Sequence, residues 1–155
     1  MLFRSAIDVS FAPLGLDPPT INRLNGESFQ QDALLSSNGY QYAAFYGSTP
    51  NATANTTRHV SVARRNLSSN SHPAPQWEIL TFTDYDQTLD DGHDVISIGI
   101  CENDGTLHLS FDQHDNPLNY RISKKGVTSD PSTVRWDADL FGPVIVRIAY
   151  FDSRS

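Results

Sequence analysis

The sequence contains a single cysteine, Cys101. That excludes an intramolecular disulfide and a cysteine-based metal cluster. Its place at the end of an apolar run suits a small buried hydrophobe better than a nucleophile. Lysine is nearly as scarce, confined to Lys124 and Lys125, against 18 acidic residues of which 15 are Asp, for a formal net charge of −7. With no basic stripe to neutralise phosphates, nucleic acid is not an expected partner. No run of about 18 apolar residues exists, so no helix is expected to span a membrane. Met1 to Ser10 has one arginine and no sustained apolar stretch, and does not read as a secretory signal. No segment keeps a 3.6-residue apolar period over about 11 residues, so helices are not expected.

What is present is a series of short strands between turn clusters. The length, 155 residues, allows one ordinary domain. Pro13, Pro18 and Pro19 break up the first 25 residues. Alternation predicts strands over residues 40–46, 59–64 (Val60 and Val62 on one face), 77–82, 106–111 (Leu107, Leu109 and Phe111 on one face) and 120–123. The apolar run 95–101 predicts a strand buried on both faces. Trp136 and residues 144–150 suggest two more. Residues 47–57 and 66–76 read as loops, and residues 84–94 as an acidic loop.

Apolar first strands begin near Tyr40, Val95 and Val144, roughly every 50 residues. That rhythm favours the four-stranded blades of a β-propeller over a β-sandwich. The expected fold is all-β: a partial propeller of two to three antiparallel blades. A closed ring needs at least about four, so the chain is expected to be incomplete or to assemble with something else.

The chemistry concentrates around one hairpin. Asp90-Asp91-Gly92-His93-Asp94 leads into the apolar strand, Asn103-Asp104-Gly105 is a turn signal, and the returning strand ends in Asp112-Gln113-His114-Asp115-Asn116-Pro117. Antiparallel pairing brings both clusters to the edge opposite the turn. A turn at Asn103-Asp104 places His93 opposite His114; a turn at Asp104-Gly105 shifts the partner to Asn116. The Cβ separation is then about 5–8 Å. Imidazoles flanked by carboxylates suit general base chemistry on a sugar; two surface histidines on polar loops are the plainer reading. His108, mid-strand, reads as structural, and His59 and His72 as ordinary loop or strand residues.

No metal ligand is assigned, and a solvated acidic loop is the default. Calcium is the cation that Asp84, Asp86, Asp90 and Asp91 would suit, although the EF-hand spacing is absent. His93 and His114 joining a carboxylate around zinc is a lesser alternative. Asn51, Asn55 and Asn66 head Asn-x-Ser/Thr acceptors within 16 residues, which leans towards a glycosylated, secreted history.

Residues 28–34 with 38–46, residues 60–65, and the long segment Gly92-His93-Asp94-Val95-Ile96-Ser97-Ile98-Gly99-Ile100 continuing through residues 104–121 together resemble the BNR-repeat family, the match ending near Phe141-Gly142-Pro143-Val144. The resemblance divides the chain into an irregular segment 1–26, a propeller fragment 27–144 and a divergent tail 145–155. Members of that family are seven-bladed propellers. Those of known activity include ulvan lyases and a fungal lyase releasing rhamnose linked to glucuronate. The resemblance implies β-elimination beside a uronic acid on an acidic polysaccharide or oligosaccharide, in an extracellular setting. It places the family's paired histidines on His93 and His114, with Asp94, Gln113 and Asn116 as substrate-binding candidates. Partner Tyr and Arg residues of such lyases come from later blades, so the chain is expected to be an N-terminal fragment and inactive alone. A non-catalytic carbohydrate-binding or interaction fragment is the alternative. A sialidase-like hydrolase is less favoured, since the Asp-box Ser-x-Asp-x-Gly-x-x-Trp is absent and residues 129–136 lack its glycine.

Overall fold

A computed structural model describes residues 11–26, 32–67, 76–114 and 117–147. His72, Asp115 and Asn116 lie outside the described residues. Among the described residues, eight strands form two four-stranded antiparallel sheets, each a simple meander. The first contains β1 (Leu34–Ser37), β2 (Tyr40–Gly47), β3 (Arg58–Asn66) and β4 (Glu78–Gln87); the second contains β5 (Ile96–Cys101), β6 (Thr106–Phe111), β7 (Leu118–Ile122) and β8 (Ile145–Arg147). One short 3-10 helix, Ala138–Leu140, precedes β8. Among the described residues these are two propeller-type blades that do not close a ring.

The core is what alternation selects. Tyr42, Ala44, Tyr46, Val60, Val62 and Phe82 from the first sheet meet Ile96, Ile98, Leu107, Leu109 and Phe111 from the second. Each such aliphatic or aromatic side chain contributes about 1.5–3 kcal/mol by leaving water. Aromatic edges lock the layers: Tyr85 against Phe111 and Phe82 against Phe141, each with centroids 5.1 Å apart. Among backbone links, the Ile98 N–H donates to the Asp32 carbonyl at 2.9 Å. A buried arginine adds a strap. Arg64 donates to Glu78 Oε2 and to the Pro131 and Val134 carbonyls, all at 2.8 Å. Its guanidinium also covers the Trp136 ring at 4.9 Å.

Several sequence-based expectations change. β5 is buried on one face, not two: Ile96 and Ile98 point inward, while Ser97 and Gly99 are half-buried on the other. The other face of this sheet carries a polar chain. Thr106 Oγ1 donates to Asp104 Oδ1 at 2.7 Å and so accepts from His108 Nε2 at 2.7 Å, and Tyr120 donates to His108 Nδ1. The segment after Val144 does not open a third blade. Ile145–Arg147 pairs with β7 as the fourth strand of the second sheet, Leu118 opposite Arg147, so the boundary at Val144 falls before the last described strand. Trp136 lies in no strand and packs on Tyr42 and Phe141. β1, unanticipated, pairs with β2 through a turn at Asn38 and Gly39, both with positive φ.

The largest difference lies in β4, which runs five residues past Phe82 into the supposed acidic loop. Pairing with β3 slips between Val60↔Phe82 and Arg58↔Gln87. This bulge switches the inward face from Leu80 and Phe82 to Tyr85 and Gln87.

Candidate functional site

β5 and β6 pair from Ile96↔Phe111 to Cys101↔Thr106. Continued beyond the sheet, that register sets His93 opposite His114, as for a turn centred on Asn103-Asp104. Gly105 closes the loop. Its φ is +67°, and a Cβ there would meet Ser129 Oγ at 2.1 Å and Gly126 Cα at 3.1 Å, so only glycine fits. The Gly126 N–H donates to the Asp104 carbonyl at 2.8 Å and the Thr128 N–H to the Gly105 carbonyl at 3.0 Å, which pins the hairpin at its closed end.

At the open end the two imidazoles come together, ring centroids 4.2 Å apart and planes inclined at 35°. Asp91 organises them. Its Oδ1 accepts the His93 backbone N–H at 2.9 Å and His93 Nδ1 at 2.7 Å; its Oδ2 accepts His114 Nδ1 at 2.7 Å. The Asp94 N–H closes the turn on the Asp91 carbonyl at 3.0 Å, so Asp91-Gly92-His93-Asp94 is a tight turn begun by an Asp that caps its own backbone. These donors, the His93 N–H foremost and then the His114 and His93 rings, hold the Asp91 carboxyl well below the usual carboxylate range. An ionised carboxylate only accepts, so both Nδ1 atoms carry hydrogen. Nε2 is therefore the proton-accepting nitrogen of each neutral ring.

Beneath the pair lies a buried polar layer. Asp94 is fully buried and its Oδ1 accepts the His114 backbone N–H at 2.9 Å. Asp94 Oδ2 is buried with no hydrogen-bond partner, and the Asp112 carboxyl is its charged neighbour. Burial is the main cause that pushes the Asp94 carboxyl up to about 6; the Asp112 charge adds to it and the His114 N–H opposes it. Asp112 has φ +53°, a left-handed conformation that Asp tolerates and that turns the chain out of β6 towards His114. It accepts from Tyr85 Oη and, at 3.3 Å, from Gln87 Nε2. Asn119 Nδ2 braces both, donating to Tyr85 Oη at 3.0 Å and to the Asp112 carbonyl at 3.1 Å. Gln87 Nε2 at 2.7 Å and Arg58 Nη2 at 3.0 Å both donate to the Leu89 carbonyl, fixing the start of the loop that carries Asp91.

The other sequence candidates divide. Gln113 is exposed on the same rim and donates to Ser110 Oγ. Asp94, expected to bind substrate, is closed to solvent and instead positions His114. Asn116 falls outside the described residues. The acidic side chains expected to suit calcium do not gather: Asp84 pairs with Arg121 at 2.5 Å and Asp86 with His59 at 3.5 Å, while Asp90 accepts the Ile21 and Asn22 N–H groups at 2.8 and 2.9 Å. Among the described residues, one group could hold a metal: Asp91, His93 and His114, whose ligand atoms lie within 4.8 Å of one another. The role of Asp91 was missed from sequence, though Asp two residues before His, across a glycine, is the pattern of a self-capping turn. Tyr85 and Gln87 were missed because the bulge breaks the alternation of β4, and Asn119 because β7 begins at Leu118, ahead of the strand expected over residues 120–123.

Comparison with known proteins agrees with this architecture. No curated protein matches the chain. The crystal structure of polysaccharide lyase Uly1 is similar in fold, with a TM-score of 0.58 at 16% identity over 87% of this chain. The chain spans 30% of that lyase's length. The family model for BNR repeat-containing family members matches residues 40–148, from the start of β2 past the end of β8. Two antiparallel blades in series and a match over most of the chain make this a member of the BNR repeat-containing family.

Proposed function

We propose that the His93–His114 rim is the proton-transfer part of a polysaccharide lyase site that acts beside a uronic acid by β-elimination. The observation that carries this reading is the Asp91 bridge, which fixes both rings with Nε2 as their basic atom at a centroid separation of 4.2 Å. In β-elimination a base takes the proton α to the uronate carboxylate, and charge develops on that carboxylate as the enediolate forms. A neutral imidazole can take the proton through Nε2. A second imidazole, when protonated, can neutralise the developing charge. The similarity to a polysaccharide lyase supports the reading at the level of fold. On it, the partner is an acidic polysaccharide or oligosaccharide and the setting extracellular, in keeping with exposed Asn51 and Asn55 in acceptor triplets.

The rim is open: the His93 and His114 side chains are 57% and 43% exposed. That openness favours binding without turnover by this chain, and it keeps non-catalytic carbohydrate binding as a second reading. The test is an imidazole ¹H–¹⁵N NMR titration with a uronate-containing oligosaccharide, with ultraviolet absorbance read for unsaturated product. Shifts at His93 and His114 without product are expected. Absence of shifts at both rings would sink the reading. Product formation that persists in H93Q/H114Q would remove the histidines from the chemistry.

A further inference from the structure

We infer that Asp91, His93 and His114 form a zinc site, and that zinc binding there and base chemistry at the same histidines exclude one another. Two imidazoles and one carboxylate present ligand atoms within 4.8 Å of one another. This is a donor set that zinc favours over harder cations, with room for water as a fourth ligand. The supports of a metal centre are also present. Asp94 Oδ1 holds the backbone of His114 and the Asp91 turn holds that of His93, so the two segments that carry the imidazoles are fixed relative to each other. The three side chains are 36–57% exposed, which leaves a path for the ion.

The exclusion follows from proton positions. In the metal-free site each Nδ1 carries hydrogen towards Asp91, and each neutral ring keeps its lone pair on Nε2. If zinc takes the two Nδ1 lone pairs, each ring's proton moves to its own Nε2, with no net gain or loss, and the basic atom is gone. If zinc binds Nε2 directly, the basic lone pair is taken outright. Either geometry silences the base. This regulatory half rests on the proposed function; the binding half does not.

The experiment is calorimetric titration of zinc chloride into the whole 155-residue chain, with zinc K-edge absorption spectroscopy to count imidazole ligands. One equivalent should bind in the micromolar range, with two imidazoles in the spectrum. H93Q/H114Q should weaken binding by about tenfold or more, and D91N should weaken it as well. C101S/H108Q, which removes the single thiol and the half-buried His108 imidazole, should leave binding unchanged. Far-UV circular dichroism confirms that each variant keeps its sheets; if the double variant unfolds, D91N carries the test. Undiminished affinity in H93Q/H114Q or D91N, or no zinc binding by a folded wild-type chain, would overturn the inference. Neither result bears on the lyase reading, which is judged by the uronate titration in zinc-free buffer.

Discussion

Asp94 Oδ1 accepts the backbone N–H of His114 at 2.9 Å, tying the loop before β5 to the loop after β6 across 20 positions of sequence. Its other oxygen is buried with no hydrogen-bond partner, and the Asp112 charge acts on the same carboxyl. One buried group therefore sets both the spacing of the imidazole pair and a proton balance beneath it.

That balance has a sign. The Asp94 carboxyl is raised to about 6 in the fold against an ordinary 3.8, so the folded chain holds the proton more tightly than the unfolded one. The stability this contributes is complete below the ordinary value and is lost as pH rises through about 6. Asp94→Asn keeps the Oδ1 acceptor for His114 and carries no charge beside Asp112 at any pH. In chelator-treated buffer, thermal melts should show D94N more stable than wild type by roughly 1–3 kcal/mol at about pH 8. The two should converge at about pH 4. Equal melting temperatures across that range would contradict a carboxyl raised by burial beside Asp112.

Asp91 works in the opposite direction. Its carboxyl is depressed by the His93 N–H and the two rings, so its contribution is present above 3.8 and lost as pH falls towards the depressed value. Asp91→Asn offers one acceptor where two ring N–H groups need one each. ¹⁵N spectra of D91N should show at least one of the two rings changing tautomer, with little change in melting temperature at neutral pH because the group is solvent-facing. Unchanged tautomers would argue that the bridge does not orient the pair.

Gly105 holds the far end of the same hairpin. Gly105→Ala forces a side chain into a left-handed conformation and against the 126–129 turn. It should cost about 1–3 kcal/mol in urea unfolding. It should also broaden the His93 and His114 resonances, since register is transmitted along β5 and β6. A neutral outcome would mean the turn can be rebuilt.

Arg64 joins β3 to the 131–136 segment by a planar fork that lysine cannot reproduce. Arg64→Lys should leave at least one of the Pro131 and Val134 carbonyls without its donor and lose the stacking over Trp136. The expected loss is about 2–3 kcal/mol by chemical denaturation, with reduced Trp136 burial by fluorescence.

Much of the fold was legible in sequence wherever alternation was uninterrupted. Tyr42, Ala44 and Tyr46, then Val60 and Val62, then Leu107, Leu109 and Phe111 each fall on the inward face as their spacing demands. β1 was also within reach, because Asn38-Gly39 is a strong two-residue hairpin signal and forms such a turn here. Tyr85 and Gln87 were not within reach. Their inward placement depends on a slip against β3, and nothing local to residues 82–87 marks where pairing with a distant strand shifts.

From sequence alone came the all-β class, the blade rhythm, and the meeting of His93 with His114, because period-two side-chain direction and antiparallel pairing about a turn are local rules. Tertiary structure alone decided that Asp91 spans both rings, that Asp94 is sealed beneath them rather than open to a ligand, and that residues 145–147 complete the second blade instead of beginning a third. The physical reason is that hydrogen-bond partners, burial and strand order depend on which distant segments pack together, and composition and spacing leave that choice open.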